Sequence, residues 1–315
     1  MRHAVLIVNR AAGGRRPDEL VARLDTLLSR SGYRLDAVFT AAPGDATSLA
    51  REAASAGADA VFALGGDGTL REAAEGLLGT GVPLGPLPGG TANVLGLALG
   101  LPREPLACAE SICLLEPRAV DVGVVRSLAP PSPAAGSERP ERVFLMMASA
   151  GLDARVLARL SPERKRLFGR AHIAARGFAE WWGYDYPGLS VELDGEVHRA
   201  SFAAVSNIAH YGGPFRMAPA ARLDDHTLHL LLFRGTGRLP TLDFVWSVMR
   251  SRHVDREDVL VRPVGRGERV ILRGTDRQPD RLDAQVDGDP CPDPPPLEVR
   301  MAPDPLPVLA PAAVG

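Results

Sequence analysis

The sequence predicts two domains: an α/β unit built on a parallel sheet, then an antiparallel β-rich unit. Three observations carry this. Over residues 1–125, short apolar runs alternate with segments of helical periodicity, the grammar of a sheet covered by helices on both faces. Past a Pro/Ser/Ala-rich stretch at 127–140 the grammar changes to short strands and tight turns. Four turns of the first part, at Asn9, Thr40, Gly65–Thr69 and Gly89–Asn93, follow predicted strands, and ligands of such sheets bind at carboxyl ends. The expected boundaries are 1–125, 126–300 and a Pro/Ala-rich tail at 301–315 that packs back on the first domain.

Ala4–Val8 is a continuous apolar run and reads as a buried strand. Pro17 opens a helix whose apolar stripe is Leu20, Val21, Leu24, Leu27 and Leu28, with Gly32 as its stop. Tyr33–Phe39 is the second strand, and Asp45 is placed to N-cap the helix carrying Leu49, Ala50, Ala53 and Ala54. Val61–Leu64 is the third strand, followed by a helix through Leu70, Ala73, Ala74 and Leu77. Val82–Leu87 is a fourth strand, residues 103–115 a helix, and Ala119–Val125 a strand containing Asp121. In the second part, Val143–Ser149 is a strand and Ala154–Trp182 mostly helix, interrupted at Ser161-Pro162. Leu189–Leu193 and Val197–Val205 form a hairpin about Asp194-Gly195. Leu228–Phe233, Val259–Arg262, Arg269–Leu272 and Leu282–Val286 are strands, and Leu239–Arg250 is a short helix.

Composition excludes several classes. A formal net charge of −2 and only 5% aromatic residues give no basis for nucleic-acid binding. Cys108, Cys113 and Cys291 lack metal-ligand spacing and fit a reducing compartment. No signal-like segment opens the chain and no run of 18 apolar residues occurs, so the expectation is a cytoplasmic protein whose membrane contact is peripheral, at the inner face. One basic cluster, Arg164, Lys165, Arg166, Arg170 and Arg176, lies among Leu167, Phe168, Ile173, Phe178, Trp181 and Trp182. Such a stripe can lie on an anionic membrane or pack on its own domain.

Gly65-Gly66-Asp67-Gly68-Thr69 joins a strand to a helix, a layout that brings backbone N–H groups to a phosphate. The three glycines can take positive φ and leave room for a ligand. Asp67 would repel phosphate unless a cation lay between, which implies Mg²⁺. Alone, the motif is also a tight turn with Asp67 or Thr69 as N-cap.

Together with Pro88-Gly89-Gly90-Thr91-Ala92-Asn93 and Leu101-Pro102, this motif resembles the diacylglycerol-kinase-like lipid kinases, in the bacterial branch that is also similar to sphingosine and ceramide kinases. The first motif is shared with NAD kinases and related to the phosphofructokinase turn; the pair points to the lipid branch. Ala150–Ala154, Asn207 with Gly212-Gly213, Ala220–Leu228 and Asp287-Gly288-Asp289 continue the resemblance. It implies a nucleotide domain like those of NAD kinase and phosphofructokinase, a β-sandwich, and ATP in a cleft. The chain departs from the pattern at Arg10, Arg71, Val94, His226 and Asp289.

The resemblance implies an ATP- and Mg²⁺-dependent kinase acting on the hydroxyl of diacylglycerol or a related lipid. Gly65, Gly66, Gly68, Thr69, Gly90, Thr91 and Asn93 would bind nucleotide, with Asn9 and Thr40 at its adenosine end. Asp67 would hold Mg²⁺, with Asp121 as a candidate for its water shell. Asp225 and the carbonyls of Arg222 and Thr227 would hold a structural Mg²⁺. Asp287-Gly288-Asp289 on its own reads as a hairpin turn; the resemblance implies that Asp287 or Asp289 is the base, and in an extended segment the two would point to one side. A homodimer is compatible with all of this. The alternatives are a NAD kinase or other soluble-metabolite kinase, and a degenerate nucleotide- or lipid-binding protein.

Overall fold

The computed structural model describes residues 1–10, 17–130, 139–160, 176–213, 215–275, 278–279 and 281–311. The chain forms two compact units, Met1–Val122 with Pro303–Gly315, and Gly123–Ala302.

In the first unit, β1 (Arg2–Asn9), α1 (Pro17–Arg30), β2 (Tyr33–Thr40), α2 (Asp45–Ser55), β3 (Ala60–Gly65) and α3 (Asp67–Leu77) alternate. β4 (Leu84–Pro88), α4 (Val94–Ala98), α5 (Pro105–Ile112) and β5 (Arg118–Val120) follow. The sheet order is β2-β1-β3-β4, then the strand Leu306–Val308, then β5. The first four strands are parallel. Leu306–Val308 runs parallel to β4 and antiparallel to β5. Leu6, Ile7, Phe62 and Leu64 are fully buried, as the continuous apolar runs predict, and Tyr33 meets Phe62 edge to face at 5.4 Å. α2 begins at Asp45 with Gly44, not Asp45, as its N-cap; the Asp45 carboxylate instead accepts the N–H groups of Ala41 and Ala42.

The order β2-β1-β3 matters for function. The chain leaves β1 to one side for β2 and crosses to the other side for β3, so the carboxyl ends of β1 and β3 flank a topological switch point.

The second unit contains β6 (Gly123–Ser127), β7 (Arg142–Phe144), β8 (Met147–Ala150) and α6 (Leu152–Ala158), then a helix over residues 176–183 (α7). β9 (Leu189–Leu193), β10 (Glu196–Ala200), β11 (Phe202–Ser206), β12 (His210–Tyr211), β13 (Phe215–Arg216), β14 (Thr227–Phe233) and α8 (Arg238–Met249) come next. β15 (Val259–Gly265), β16 (Arg269–Arg273), β17 (Ala284–Val286), β18 (Asp289–Pro290) and β19 (Leu297–Met301) complete it. One sheet has the order β10-β9-β16-β19-β6-β7 and another β15-β14-β11-β8-β17-β18. One apolar cluster takes residues from both, including Val191, Leu272 and Val299 from the first and Val205, Leu230 and Val286 from the second. This is the sandwich that the resemblance implies. The outer face of the second sheet, with Phe202, Leu231 and Phe233, packs against Phe244 and Val248 of α8.

Three predicted strands are in fact pairs. Ala119–Val125 divides at Asp121-Val122 into β5 and β6, which belong to different sheets. Val143–Ser149 divides at Leu145-Met146. Val197–Val205 divides at Ser201, whose hydroxyl donates to Gly235 O at 2.5 Å, so β10 and β11 join different sheets. Local pattern cannot reveal a change of sheet, because each half is itself extended and reads as strand.

Close packing in the first unit is tested at Gly76. A Cβ there would lie 2.3 Å from Thr47 O and 2.8 Å from the Ala50 methyl, so α2 and α3 pack backbone to backbone. Gly76→Val should cost about 3 kcal/mol by overpacking, read as a lower urea midpoint at unchanged m-value. An unchanged midpoint would contradict this packing.

Candidate active site

In the first unit the two glycine turns touch. Gly89 N–H donates to Gly65 O at 2.7 Å. A Cβ on Gly90 would meet Gly66 Cα at 2.6 Å, and one on Gly65 would meet Thr69 Cβ at 2.4 Å. Gly65, Gly66 and Gly68 do not take positive φ, contrary to the expectation from sequence. Glycine is needed at 90 because the Gly66 backbone approaches there, and at 65 because the Thr69 side chain packs against it, not because the turns are left-handed. Left-handed geometry falls instead on Asn93 (φ 50°), whose amide closes the second turn: Gly90 N–H donates to Oδ1 at 2.8 Å and Nδ2 donates to Gly90 O at 2.9 Å.

Asp67 does not cap its own helix; Gly66 is the N-cap of α3. The Asp67 carboxylate accepts the N–H groups of Val94 and Leu95, each at 3.1 Å. It thereby caps α4 from across the two turns and latches one to the other. Asn9 completes the cluster, its Nδ2 donating to Thr69 Oγ1 at 2.9 Å across the switch point. Thr40 lies opposite Asn9 in the β1–β2 register. Thr91 is exposed on the second turn, and Asp121 is buried.

In the second unit Asp287-Gly288 is the two-residue turn between β17 and β18, with φ of 50° and 88°. Both angles are positive, as in a type I′ hairpin. The two carboxylates therefore do not share one side of an extended segment. Asp287 is buried and folds back: its oxygens accept the N–H groups of Leu145 at 2.7 Å, Met146 at 2.9 Å and Met147 at 2.8 Å. These bonds turn the backbone at Leu145-Met146 and are why β7 and β8 are separate. Asn207 holds the same bend, its Nδ2 donating to Leu145 O at 3.0 Å. Asp289 is exposed.

Sheet register brings further predicted residues to this end. His229 stands opposite Ser206, Ser206 opposite Met147, and Asp287 N–H donates to Met147 O. Asp225 and Thr227, just before His229 at the start of β14, share that end of the sheet. Asp225 Oδ1 accepts Thr227 N–H at 3.0 Å, and His229 Nε2 lies 3.6 Å from Oδ2. His226 takes φ 57°, so it keeps the left-handed turn that a glycine would make. Arg222 is exposed nearby in sequence. Among the described residues no group of three His, Cys, Asp or Glu side chains could hold a metal. One carboxylate and carbonyl oxygens suit Mg²⁺ in kind; the His229 ring lies beside that carboxylate without a hydrogen bond to it.

A polar network unforeseen from sequence supports the hairpin. Gly288 N–H donates to Gln285 Oε1 at 2.7 Å, Gln285 Nε2 to Ser149 Oγ at 2.6 Å, and Ser149 Oγ to Asp153 Oδ2 at 2.5 Å. Tyr211 OH donates to the same oxygen at 3.3 Å. Burial pushes the Asp153 carboxyl above its usual range, against the opposing pull of these bonds, and pushes the Tyr211 hydroxyl up as well.

The predicted basic cluster is only partly visible: Arg164, Lys165, Arg166 and Arg170 lie outside the described residues. Arg176 is spent internally, 2.6 Å from buried Glu180, which also meets Arg155 at 3.4 Å and Arg159 at 3.3 Å. No helix among the described residues is long and apolar enough to cross a membrane.

Residues 3–125 match the diacylglycerol kinase catalytic domain, and residues 146–310 match the YegS C-terminal NAD kinase beta sandwich-like domain. The chain belongs to the YegS-like branch of the diacylglycerol kinase family. A Chromohalobacter salexigens member named "Probable lipid kinase YegS-like" is 35% identical over 210 residues, 65% of this chain and 63% of that one. A Bacillus subtilis member named "Diacylglycerol kinase" is 24% identical over 293 residues, 91% of each chain. The fold is that of a Bacillus anthracis diacylglycerol kinase crystal structure, with TM-score 0.69 at 19% identity, covering 100% of this chain and 98% of the other.

An amide at 287 offers one acceptor atom and a clashing donor, so Asp287→Asn should cost about 3 kcal/mol in urea unfolding. A full-stability variant would refute the three-amide cradle. Asp153 is held protonated to a higher pH folded than unfolded. Its stabilising contribution is therefore complete below the unfolded value and is lost as pH rises through the folded one. The melting temperature of Asp153→Asn minus that of the parent should widen above pH about 4 and then level off. A gap that does not change with pH would show that Asp153 is not held in this way.

Proposed function

We propose that this chain is a lipid kinase that transfers the γ-phosphoryl group of ATP to the hydroxyl of diacylglycerol or a related lipid. The observation that carries this reading is the contact of two glycine turns at the switch point, latched by Asp67 and closed by Asn93 and by Asn9 through Thr69. Phosphoryl transfer asks chiefly for positioning and charge neutralisation. The α3 N-terminus and the backbone at Gly65, Gly66, Gly68, Thr69 and Gly90 would supply N–H groups to the phosphates, Thr91 a hydroxyl, and Asn9 and Thr40 the wall of the nucleoside end.

The residues at this turn fit Mg²⁺ held through water: one carboxylate, bonded to two backbone amides, beside the place where the phosphate oxygens would lie. Bound with the nucleotide, the cation would offset phosphate charge next to Asp67. Asp225, with the carbonyls of Arg222 and Thr227, would hold the structural ion, with the His229 ring beside it.

Asp289 is the better base. Asp287 is committed to three backbone amides, whereas Asp289 is exposed on a hairpin that Asp287 and Gln285 hold in place. The acceptor hydroxyl would pass its proton to Asp289 as its oxygen attacks the γ-phosphorus, and the bond to the bridging oxygen would break to leave ADP. A lipid acceptor requires peripheral membrane contact.

The test is transfer of labelled γ-phosphate from ATP to a lipid panel and to NAD. Label should appear on a lipid and depend on Mg²⁺; label on NAD alone would make the chain a soluble-metabolite kinase. Asp289→Asn should lower turnover about a hundredfold or more at unchanged melting temperature and ATP affinity. Near-parental turnover would remove Asp289 as the base.

A further inference from the structure

Helix α8 is apolar around most of its circumference. Phe244, Val248 and Thr241 face the sheet and are buried. The opposite side exposes Leu239 (76%), Leu242 (50%), Trp246 (50%) and Met249 (49%). A helix apolar on both sides is ordinarily covered on both.

The exposed side is extended by α7. Trp181 Nε1 donates to Arg238 O at 2.9 Å, and the Arg238 guanidinium lies 4.6 Å from the Trp182 ring centroid. This joins the exposed rings of Trp182 and Phe178 to the start of α8. At the far end Arg250 stacks over Trp246 at 4.3 Å. The nearby acid, Asp243, is matched by Arg256 at 2.5 Å. Exposed Arg252 follows, while Asp255 and Glu257 lie beyond it. The chain has three tryptophans, Trp181, Trp182 and Trp246, and all three belong to this patch.

An apolar stripe with tryptophans, bounded at both ends by arginines stacked on their rings, has the chemistry of a bilayer interface. Aliphatic groups enter the acyl boundary, indoles sit at headgroup level, and guanidinium groups meet anionic phosphates. We infer that the outward face of α8, with Trp182 and Phe178 of α7, docks on an anionic phospholipid surface. The inference deepens the lipid-acceptor reading and names the surface through which the second unit would reach its substrate.

The test uses the full chain without nucleotide, so it stands or falls separately from kinase activity. Sedimentation with phosphatidylcholine vesicles containing phosphatidylglycerol should pellet the protein, and phosphatidylcholine alone should not. Tryptophan emission should shift to the blue and be quenched by brominated acyl chains. Leu239→Glu and Leu242→Glu should each weaken vesicle binding about tenfold, with unchanged melting temperature and unchanged turnover of a short-chain soluble diacylglycerol. Arg250→Glu should weaken binding to the anionic vesicles, and added salt should do the same. Parental binding by both Glu variants, or emission indifferent to brominated lipid, would overturn the inference. So would a dimer in light scattering that Leu242→Glu dissociates, because the face would then cover a second copy.

Discussion

A carboxylate withdrawn from water must be given donors in its place, and the end of the second sheet is shaped by how Asp287 meets that requirement. Three successive backbone amides, at Leu145, Met146 and Met147, converge on it. The chain can present three N–H groups to one side chain only by leaving extended geometry, so a uniformly apolar stretch bends. The hairpin that carries Asp287 is fixed in turn by Gln285 through Gly288. One charged side chain thus sets a bend, a hairpin and the direction of the neighbouring Asp289. Asn207 supports the bend from β11, the strand beside β8.

The first unit solves a related problem with glycine. Two strand-to-helix turns, after β3 and β4, come together closely enough that a Cβ at residue 90 would strike backbone. Asp67 then spans the gap to the first amides of α4, and Asn9 reaches Thr69 from the neighbouring strand. The cluster is preorganised by bonds that exist without ligand, so binding need not order it.

Much of this was legible in sequence for plain reasons. Alternating apolar runs and 3.6-residue stripes are local signals, and they located β1 to β4 and the helices between them. The glycine turns were legible because strand ends in a parallel sheet share one edge. Other features depend on partners distant in sequence. Nothing in the spacing of Asp67 and Val94 announces that one caps the helix of the other. The division of Val143–Ser149 depends on a carboxylate supplied by β17's hairpin. The Asp-Gly-Asp segment reads on its own as the hairpin turn that it is; what the sequence does not show is that Asp287, at φ 50°, turns its carboxylate back onto three distant amides and away from Asp289. The outward face of α8 is written in Leu239, Leu242 and Trp246, but an apolar residue in a helix does not by itself tell which side of the helix is covered.

Leu306–Val308 fills the place in the first sheet between β4 and β5. Gly123, where the chain leaves that unit, pairs with Met301, where it is about to return. The second unit is therefore spliced into the first, with its entry and exit strands side by side. During synthesis the edges of β4 and β5 stay open until residue 308 has emerged, whereas every strand of the second unit is already available. Open edges are liable to wrong partners. The order of translation thus leaves the sheet of the first unit unfinished longest, although most of its strands are made first.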